Sequence, residues 1–233
     1  MMPRTDYHMH SEFSECSSDT SIVKNILEAQ RVGLKRIAIT DHGLELRPDW
    51  IGSYFQKIEE ARRWCEIDVL TGIECDIGAR GKSVVSPSLL EDFDVVIGSI
   101  HALPSHHPSG NRFTYSPVEA NVLEEYRITV LSALASRWMR ILAHPTDIGW
   151  SKILLPEYVE EEIASTLRTS NVAIEINFHH KDPALSLLQR CAAQGVTLTP
   201  VSDAHSLNEI GRFEWHKSVV DELGVEHVLW LSI

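Results

Sequence analysis

The chain has 233 residues, 43% of them hydrophobic, and carries a formal net charge of −12 at pH 7. This composition is sufficient for a large buried core, but no stretch approaches the roughly 18–20 consecutive apolar residues of a membrane-spanning helix. The acidic balance argues against charge-driven binding of nucleic acid, although metal cations could still attract a phosphorylated substrate locally.

The cysteines and the N-terminal residues indicate a cellular location. The four cysteines, at positions 16, 65, 75 and 191, are scattered and form no CxxC pair. This pattern is typical of a reducing cytoplasm rather than of a disulfide framework. The N-terminal residues lack the apolar core of a secretion signal. We therefore expect a cytoplasmic protein.

Short apolar runs alternate with amphipathic segments along the whole chain. The runs are typical of buried parallel strands, and the amphipathic segments are typical of helices packed against them. The predicted strands are 5–10, 36–40, 69–73, 95–100, 140–143, 172–176 and 196–201, with a last short strand at 228–231. The predicted helices are 20–32, a segment through 58–65, 117–136, 157–169, 185–194 and 215–223.

About seven strand–loop–helix units follow one another, and no linker rich in Gly, Ser or Pro separates them. We therefore predict a single α/β domain over residues 1–233. An open doubly wound sheet normally has a glycine-rich phosphate turn after its first strand, and this chain has none there. A closed or nearly closed barrel is the better interpretation.

The first predicted strand ends in two histidines, His8 and His10. Residues i and i+2 of a strand point to the same side, so the two imidazoles can bind one metal ion. A hydrogen-bonded polar pair is the alternative for so short a motif. The later strands favour the metal, because they too are followed by Asp, Glu or His.

In a β/α barrel the chemistry gathers at the carboxyl ends of the strands, where these polar residues lie. Zinc binds about four ligands, so the whole set implies two or three ions. Glu74 is the expected bridge between two ions, because it is the strong carboxylate in the middle of the set. The strand-end residues are His8, His10, Asp41, His42, Glu74, His101, His144, Asp203 and His205.

The motifs DYHMHS, TDHG, GIECD, SIH, AHP and SDAH occur in this order between Asp6 and His205. With this arrangement the chain resembles the polymerase and histidinol phosphatase (PHP) superfamily of metal-dependent phosphoesterases. The resemblance covers nearly the whole chain. It implies a distorted seven-stranded (β/α)7 barrel, similar to a TIM barrel, with two or three divalent ions such as zinc, manganese or iron.

The resemblance also implies the ligands of each ion. One ion would bind His8, His10, Glu74 and Asp203, and a second would bind Glu74, His101 and His144. A third would bind His42, His205 and a residue of the first loop, which falls on Cys16, where many relatives have His or Asp. A thiolate suits zinc better than magnesium or calcium, and Glu15 or Asp19 could serve in its place.

The reaction implied by the resemblance is hydrolysis of a phosphate ester by a metal-activated water. The expected substrate is a small phosphomonoester, either histidinol phosphate or a nucleotide. Glu74, Asp203 and His205 are the expected catalytic residues, with Asp203 or His205 assisting proton transfer. Asp41 either orients a ligand histidine from behind or caps the next helix.

Residues outside the ligand sets are candidate substrate contacts. Arg112 lies in the long loop after the fourth predicted strand, where its guanidinium could bind phosphate, with a solvent-exposed position as the alternative. His179, His180 and Lys181 follow the sixth predicted strand and are expected to face the site.

Other functional classes stay open at this stage. A nuclease or phosphodiesterase, including a DNA-repair-associated PHP module, is one, although the acidic charge disfavours it. A non-catalytic metal-binding protein is another, although degenerate relatives would be expected to lose ligands. Hydrolysis of a C–N bond, as in the amidohydrolases, is a third, but those typically have a lysine carbamate where this chain has Glu74. The oligomeric state stays open.

Overall fold

The computed structural model describes residues 4–103, 120–148, 151–224 and 227–233. Its strands are β1 (Thr5–Asp6), β2 (Arg36–Gly43), β3 (Asp68–Asp76), β4 (Val95–Ser99), β5 (Ile141–Leu142), β6 (Asp147–Ile148), β7 (Ser151–Lys152), β8 (Ala173–Asn177) and β9 (Leu198–Val201). Seven of them form one parallel sheet in the order β1-β2-β3-β4-β5-β8-β9, and β6 pairs with β7 as an antiparallel hairpin.

The sheet closes on itself through the residues that follow β1 and β9. The backbone N–H of Asp203 donates to the carbonyl of His8 at 2.8 Å, and the N–H of His10 donates to the carbonyl of Ala204 at 3.0 Å. Between them, Met9 and Ala204 form an isolated parallel bridge. The structure is therefore a nearly closed seven-stranded α/β barrel, and the predicted fold class is confirmed.

Helices connect the strands and cover the outside of the barrel. They are α1 (Ile22–Arg31), α2 (Ile51–Arg62), α3 (Pro87–Leu90), α4 (Ala120–Ser136), α5 (Glu157–Ser170), α6 (Leu185–Ala193) and α7 (Glu214–Glu222). Local sequence signals set the two ends of α1. The Ser21 side chain accepts the Lys24 N–H at the start of the helix, and Gly33, with φ of +84°, follows its end. No helix in the described part of the chain is long and apolar enough to cross a membrane.

The interior of the barrel has an apolar base and a polar top. The base is a buried cluster of Tyr7, Ala38, Val95, Ile97, Ile141, Ala143 and Ala173. Because alternate residues of a strand face the same side, the polar residues lie on the same strand faces, two or four positions farther along. In β8, Glu175 and Asn177 follow Ala173 in this way, and all of them are buried.

The structure differs from the sequence prediction in its shortest elements. Residues 228–231 do not form a strand, and Trp230 makes only an isolated bridge to Leu198. β1 ends at Asp6 rather than at His10. The hairpin of β6 and β7 and the four-residue helix α3 were not predicted from the sequence. Elements this short contain too few residues to show a periodic pattern.

Tyr54 of α2 bridges β2 and β3, the strands that contain His42 and Glu74, by two hydrogen bonds. Its hydroxyl donates to the carbonyl of Ile39 in β2 at 2.7 Å and accepts the N–H of Gly72 in β3 at 2.7 Å. The tyrosine is fully buried, so water cannot replace either hydrogen bond.

We expect Tyr54→Phe to lower the free energy of unfolding by about 1–3 kcal/mol, because it leaves a buried N–H and a buried C=O unpaired. Denaturant unfolding followed by circular dichroism measures this difference. Tyr158→Phe is the matched control, since Tyr158 is 56% exposed and its change should stay within about 0.5 kcal/mol. Equal stability of the two variants would contradict the role given to Tyr54.

Candidate metal centre

The carboxyl ends of the barrel strands surround a small cavity of about 110 Å³. Its lining consists of imidazoles, carboxylates and one thiol. The lining residues are His10, Cys16, His42, Glu74, His101, His144, Asp147, His180, Asp203 and His205. His8 is fully buried beside them. All the residues of the sequence-based ligand sets therefore lie at this cavity or directly against its wall.

Glu74, at the end of β3, lies at the centre of the cluster with its two oxygens facing different histidines. Its Oε1 lies 3.0 Å from His144 Nε2 and 3.4 Å from His101 Nε2. Its Oε2 lies 2.7 Å from His42 Nδ1 and 3.5 Å from His8 Nε2. This arrangement allows one carboxylate to serve two neighbouring positions for cations.

Asp203 approaches the histidines of the first strand from the other side. Its Oδ1 lies 3.0 Å from His10 Nε2 and 3.4 Å from His8 Nε2. Glu74 Oε2 lies 3.6 Å from the same nitrogen of His10. His8, His10 and Glu74 thus offer ligand atoms within 4.8 Å of one another, and Asp203 contacts both histidines, which gives the four ligands of a tetrahedral cation site.

The donor atoms of this cluster fit a divalent cation. In the part of the chain that the structure describes, the buried atoms His8 Nε2, His42 Nδ1 and Glu74 Oε2 lack regular hydrogen-bond geometry, although His42 Nδ1 and Glu74 Oε2 are only 2.7 Å apart. Buried polar atoms are rarely left unpaired, and these lie against one another around a shared point. Imidazole nitrogens with carboxylate oxygens are a donor set that zinc, manganese and iron all accept.

Charge also favours a cation at this place. Burial raises the pKa of Glu74, but His42, His8 and His101 outweigh it and hold that pKa well below its usual range. Burial likewise raises the pKa of Asp203, and His8 and His10 lower it well below its usual range. Both carboxylates are therefore anions at neutral pH, and each needs positive charge beside it.

A further group of ligand atoms lies at the mouth of the cavity. One atom from each of His10, Cys16, His42 and His205 lies within 4.8 Å of the others. The Cys16 sulfur is 3.3 Å from His42 Nε2. Burial raises the pKa of the Cys16 thiol, but hydrogen bonds from His205 and His42 outweigh it and lower the pKa to about 6. Cys16 is therefore largely a thiolate at neutral pH, the form that binds metal.

Two acids, the buried Asp41 and the partly buried Asp76, contact the candidate ligand histidines from outside the cavity. Asp41 accepts the Ser14 hydroxyl at 2.7 Å, and that hydroxyl lies 3.0 Å from His10 Nδ1. Asp41 thus reaches His10 through Ser14, while it also accepts the N–H and hydroxyl of Ser11. Asp76 contacts His101 directly, at 2.5 Å between Oδ1 and Nδ1.

The backbone is in the left-handed region at two residues of the site. Asp203 has a φ of 52° and His144 a φ of 22°. Such conformations cost free energy in residues other than glycine and persist where the surroundings impose them. Both side chains line the cavity.

The residues predicted to contact substrate lie at different places relative to the cavity. His180 lines the cavity, with Nδ1 3.2 Å from Asp147 Oδ2 and Nε2 3.5 Å from Asp203 Oδ2. His179 stacks on His205 with ring centres 4.3 Å apart, and its Nδ1 contacts Glu209 at 2.6 Å. His179 therefore supports the rim instead of lining the cavity.

Lys181 lies outside the cavity lining. Its ammonium lies 3.1 Å from the centre of the Phe178 ring and 4.7 Å from that of Trp215. The backbone of Lys181 is in the left-handed region, with φ of 52°, and its side chain packs on these two rings instead of lining the cavity. Arg112 lies outside the described residues.

Asp76, Asp147 and Ser14 are functional candidates that the sequence analysis did not assign. Asp76 is two residues after Glu74 in β3, so the strand period alone could have placed it on the same face. Asp147 follows His144 by three residues and begins the two-residue strand β6, and Ser14 lies in the polar segment after His10. Loops and strands this short have no period from which the direction of a side chain can be predicted.

Comparisons with known proteins show which proteins this chain is similar to. A probable phosphatase of Caldicellulosiruptor bescii is 28% identical over 231 residues, which cover 95% of this chain and 88% of that protein. The DNA polymerase/3'-5' exonuclease PolX of Bacillus subtilis is 26% identical over 215 residues, which cover 87% of this chain but 34% of PolX.

Among solved structures, the histidinol phosphate phosphatase of Lactococcus lactis, complexed with Zn, L-histidinol and phosphate, aligns with a TM-score of 0.73. Its sequence is 23% identical, and the alignment covers 98% of this chain and 96% of that one. The family model of the PHP domain matches residues 6–179 of this chain. Because this match spans most of the sequence and includes all but two of the strand-end residues, the chain belongs to the PHP domain family.

Proposed function

We propose that this protein hydrolyses phosphate esters with two or three divalent cations and that its substrate is a small phosphomonoester. The placement of Glu74 carries the proposal, because its two oxygens face different histidines at the wall of a small cavity. A carboxylate placed in this way can bridge two cations. Paired cations suit phosphate chemistry, since they can bind both the attacking and the leaving oxygen.

The ligand sets that we propose follow the contacts. His8, His10, Glu74 and Asp203 would hold one ion, and Glu74, His101 and His144 would hold a second. Cys16, His42 and His205 would hold a third at the cavity mouth. When bound, the cations lower the pKa of a water molecule and neutralise charge on the phosphate.

Of the groups expected to move protons, His205 is the better placed. Its Nδ1 lies 2.8 Å from the carbonyl of Asp203, and its side chain is 14% exposed, so it can exchange protons with solvent. Burial lowers the pKa of His205, but Cys16 and Asp203 raise it above its usual value. Asp203 is fully buried and anionic, which suits cation binding more than proton transfer.

The surroundings of the site favour a small substrate over a nucleic acid. A second cavity of about 550 Å³ shares Cys16 and His42 with the metal cavity. Its wall contains Phe13 and Trp50 and four acids, Glu12, Glu15, Glu45 and Asp49. The alcohol part of a monoester can occupy this space, whereas the polyanionic backbone of DNA or RNA would be repelled. A nuclease and a non-catalytic protein are accordingly the less favoured alternatives.

The zinc in the Lactococcus lactis structure, together with the thiol of Cys16, supports zinc as the cation, with manganese and iron as alternatives. The histidinol and phosphate of that complex support a phosphomonoester of similar size. The four cysteines form no disulfide in the structure, which supports the proposed cytoplasmic location.

We expect the purified protein to release phosphate from a small phosphomonoester only when divalent metal is present, because the proposed nucleophile is a water molecule that the cations activate. A phosphate-release assay on histidinol phosphate, nucleoside monophosphates and p-nitrophenyl phosphate, with chelator and then with added Zn²⁺ or Mn²⁺, measures this. Bis(p-nitrophenyl) phosphate and a single-stranded oligonucleotide are the comparison substrates. Faster hydrolysis of either one than of every monoester would refute the monoesterase proposal.

Glu74→Gln should lower phosphatase activity by at least about 100-fold, because even the outer partners of metal ligands typically contribute 10–100-fold. An amide cannot offset the charge of two cations, so we also expect the variant to retain fewer metal ions by elemental analysis. Glu160→Gln is the matched control, because Glu160 is also buried but contacts Ser186 and Arg190 far from the cavity. Normal metal content and activity in Glu74→Gln would exclude the bridging role.

In the metal-free protein, iodoacetamide should modify Cys16 at a rate that rises with pH around a midpoint of about 6. The thiolate is the reactive form, so the rate falls as the pH drops below that midpoint, whereas an ordinary thiol titrates near about 8.5. Added zinc should protect Cys16 if it is a ligand.

Mass spectrometry of the alkylated peptides distinguishes Cys16 from the other thiols. Cys191 is the internal control, since burial raises its pKa to about 12 and should keep it unmodified. Alkylation of Cys16 that zinc does not slow would remove it from the third set and leave Glu15 or Asp19 as the ligand.

A further inference from the structure

Glu175 and Asn177 lie below the cavity on β8, and neither belongs to the ligand sets described above. They are two residues apart in a parallel strand, so both point into the barrel. Both side chains are fully buried. In the sequence they look like part of a buried strand, and the cavity lining does not include them. Their contacts, however, are with residues of the metal centre.

Glu175 binds the far side of the His8 ring. His8 Nδ1 donates to Glu175 Oε1 at 2.8 Å, and the backbone N–H of His144 donates to Glu175 Oε2 at 3.3 Å. A carboxylate can only accept a hydrogen bond from His8, so the proton of a neutral His8 ring lies on Nδ1. In that neutral form, which metal binding requires, the lone pair of His8 is on Nε2, which lies 3.5 Å from Glu74 Oε2 and 3.4 Å from Asp203 Oδ1.

Asn177 joins Glu175 to the opposite ligand. Its Nδ2 donates to Glu175 Oε2 at 2.9 Å and to Asp203 Oδ2 at 3.0 Å. Its Oδ1 accepts the backbone N–H of His180 at 3.0 Å, which fixes the direction of the amide. Both N–H groups of one amide are thus used on two carboxylates, and Asp203 Oδ1 is left to face His8 and His10.

The burial of Glu175 needs an explanation, because a carboxyl group inside a protein is costly unless it is paired. Within the described ranges of the chain, its ion pair is with His8. No described lysine or arginine forms an ion pair with Glu175. A histidine whose other nitrogen holds a cation becomes a stronger hydrogen-bond donor, and a carboxylate behind it becomes a better partner. The 2.8 Å contact between Glu175 Oε1 and His8 Nδ1 is best accounted for when a cation is bound at His8 Nε2.

We propose that Glu175 and Asn177 are a positioning pair for the cation of His8, His10, Glu74 and Asp203. Glu175 selects the tautomer of His8 that presents Nε2 to the cation, and Asn177 aligns Glu175 with Asp203. This inference rests on the proposed function, because it assumes that a cation binds there. It predicts that changes to either residue weaken metal binding without a direct contact to metal or substrate.

Glu175→Gln keeps the shape of the side chain and removes its charge. If the Gln oxygen accepts from His8, the Gln amide faces the N–H groups of Asn177 and His144, so the three donors conflict. Asn177→Ala is the second variant, because it removes the donors to Glu175 and Asp203 without altering Glu175. Glu160→Gln is again the control for a buried Glu-to-Gln change outside the site.

The experiment measures zinc affinity by competition with a chromogenic chelator, beside the visible spectrum of the cobalt-loaded protein and the melting temperature with and without zinc. We expect Glu175→Gln and Asn177→Ala to weaken the binding of one zinc ion by about 10–100-fold. The cobalt spectrum should change, and the rise in melting temperature caused by zinc should shrink. Saturating zinc should restore part of the activity.

The outcomes separate the inference from the proposed function. If the wild-type protein binds no divalent metal, the proposed function fails and the inference fails with it. If the wild type binds metal but both variants match Glu160→Gln in zinc affinity and cobalt spectrum, the inference alone is overturned. Melting temperatures lowered equally with and without zinc would show a purely structural role and would also overturn it. If Glu175→Gln does not fold, Asn177→Ala decides by the same criteria.

Discussion

The buried carboxylate of Glu74 is the constraint on which the rest of the site depends. A carboxylate that is only 1% exposed costs several kcal/mol unless positive charge or hydrogen bonds surround it. Its partners come from β2 and from the loops after β1, β4 and β5, so they can meet it only when these strands have the correct register. Pairing of β2 with β3 places His42 directly opposite Glu74, which brings the shortest of these contacts into reach. The contacts between Glu74 and these histidines therefore depend on the fold of the barrel. In turn, the barrel interior can bury Glu74 only together with these partners.

The strand period explains how one barrel combines stability with a charged site. The same strand faces carry small and apolar side chains at the base and charged ones at the top, as from Ala173 to Glu175 and Asn177 in β8. The base buries apolar surface, which stabilises the fold, while the top concentrates polar groups that bind cations. Such a division lets loop residues such as Cys16 vary without disturbing the core.

The sequence was sufficient to predict the nearly closed barrel, because long runs of alternating strands and helices show strong periods. It was also sufficient to predict that His8, His10, Glu74 and Asp203 lie close together, since the strand ends of a parallel barrel share one edge. Contacts made by loops and very short strands could not be predicted: Asp147, which contacts His180, lies in the two-residue strand β6, which is too short to show a period. The direction of Lys181 depends on a left-handed backbone and on rings that lie elsewhere in the chain. The strands β6 and β7 could not be predicted either, because two residues are too few to show a periodic pattern.

The histidines of the proposed ligand sets differ in the side chains that hold them from outside the cavity, and this difference ranks the three proposed sets by preorganisation. His8 is backed by the carboxylate of Glu175 and His101 by that of Asp76, whereas His10 reaches Asp41 only through the Ser14 hydroxyl. Cys16 is exposed and lies in a loop, so its position depends on contacts with His42 and His205. A rigid, charged partner reduces the freedom that a ligand must lose on binding, so the group of His8 and Asp203 is the most preorganised. The group at the cavity mouth is the least preorganised, which suits a position that substrate and solvent must pass.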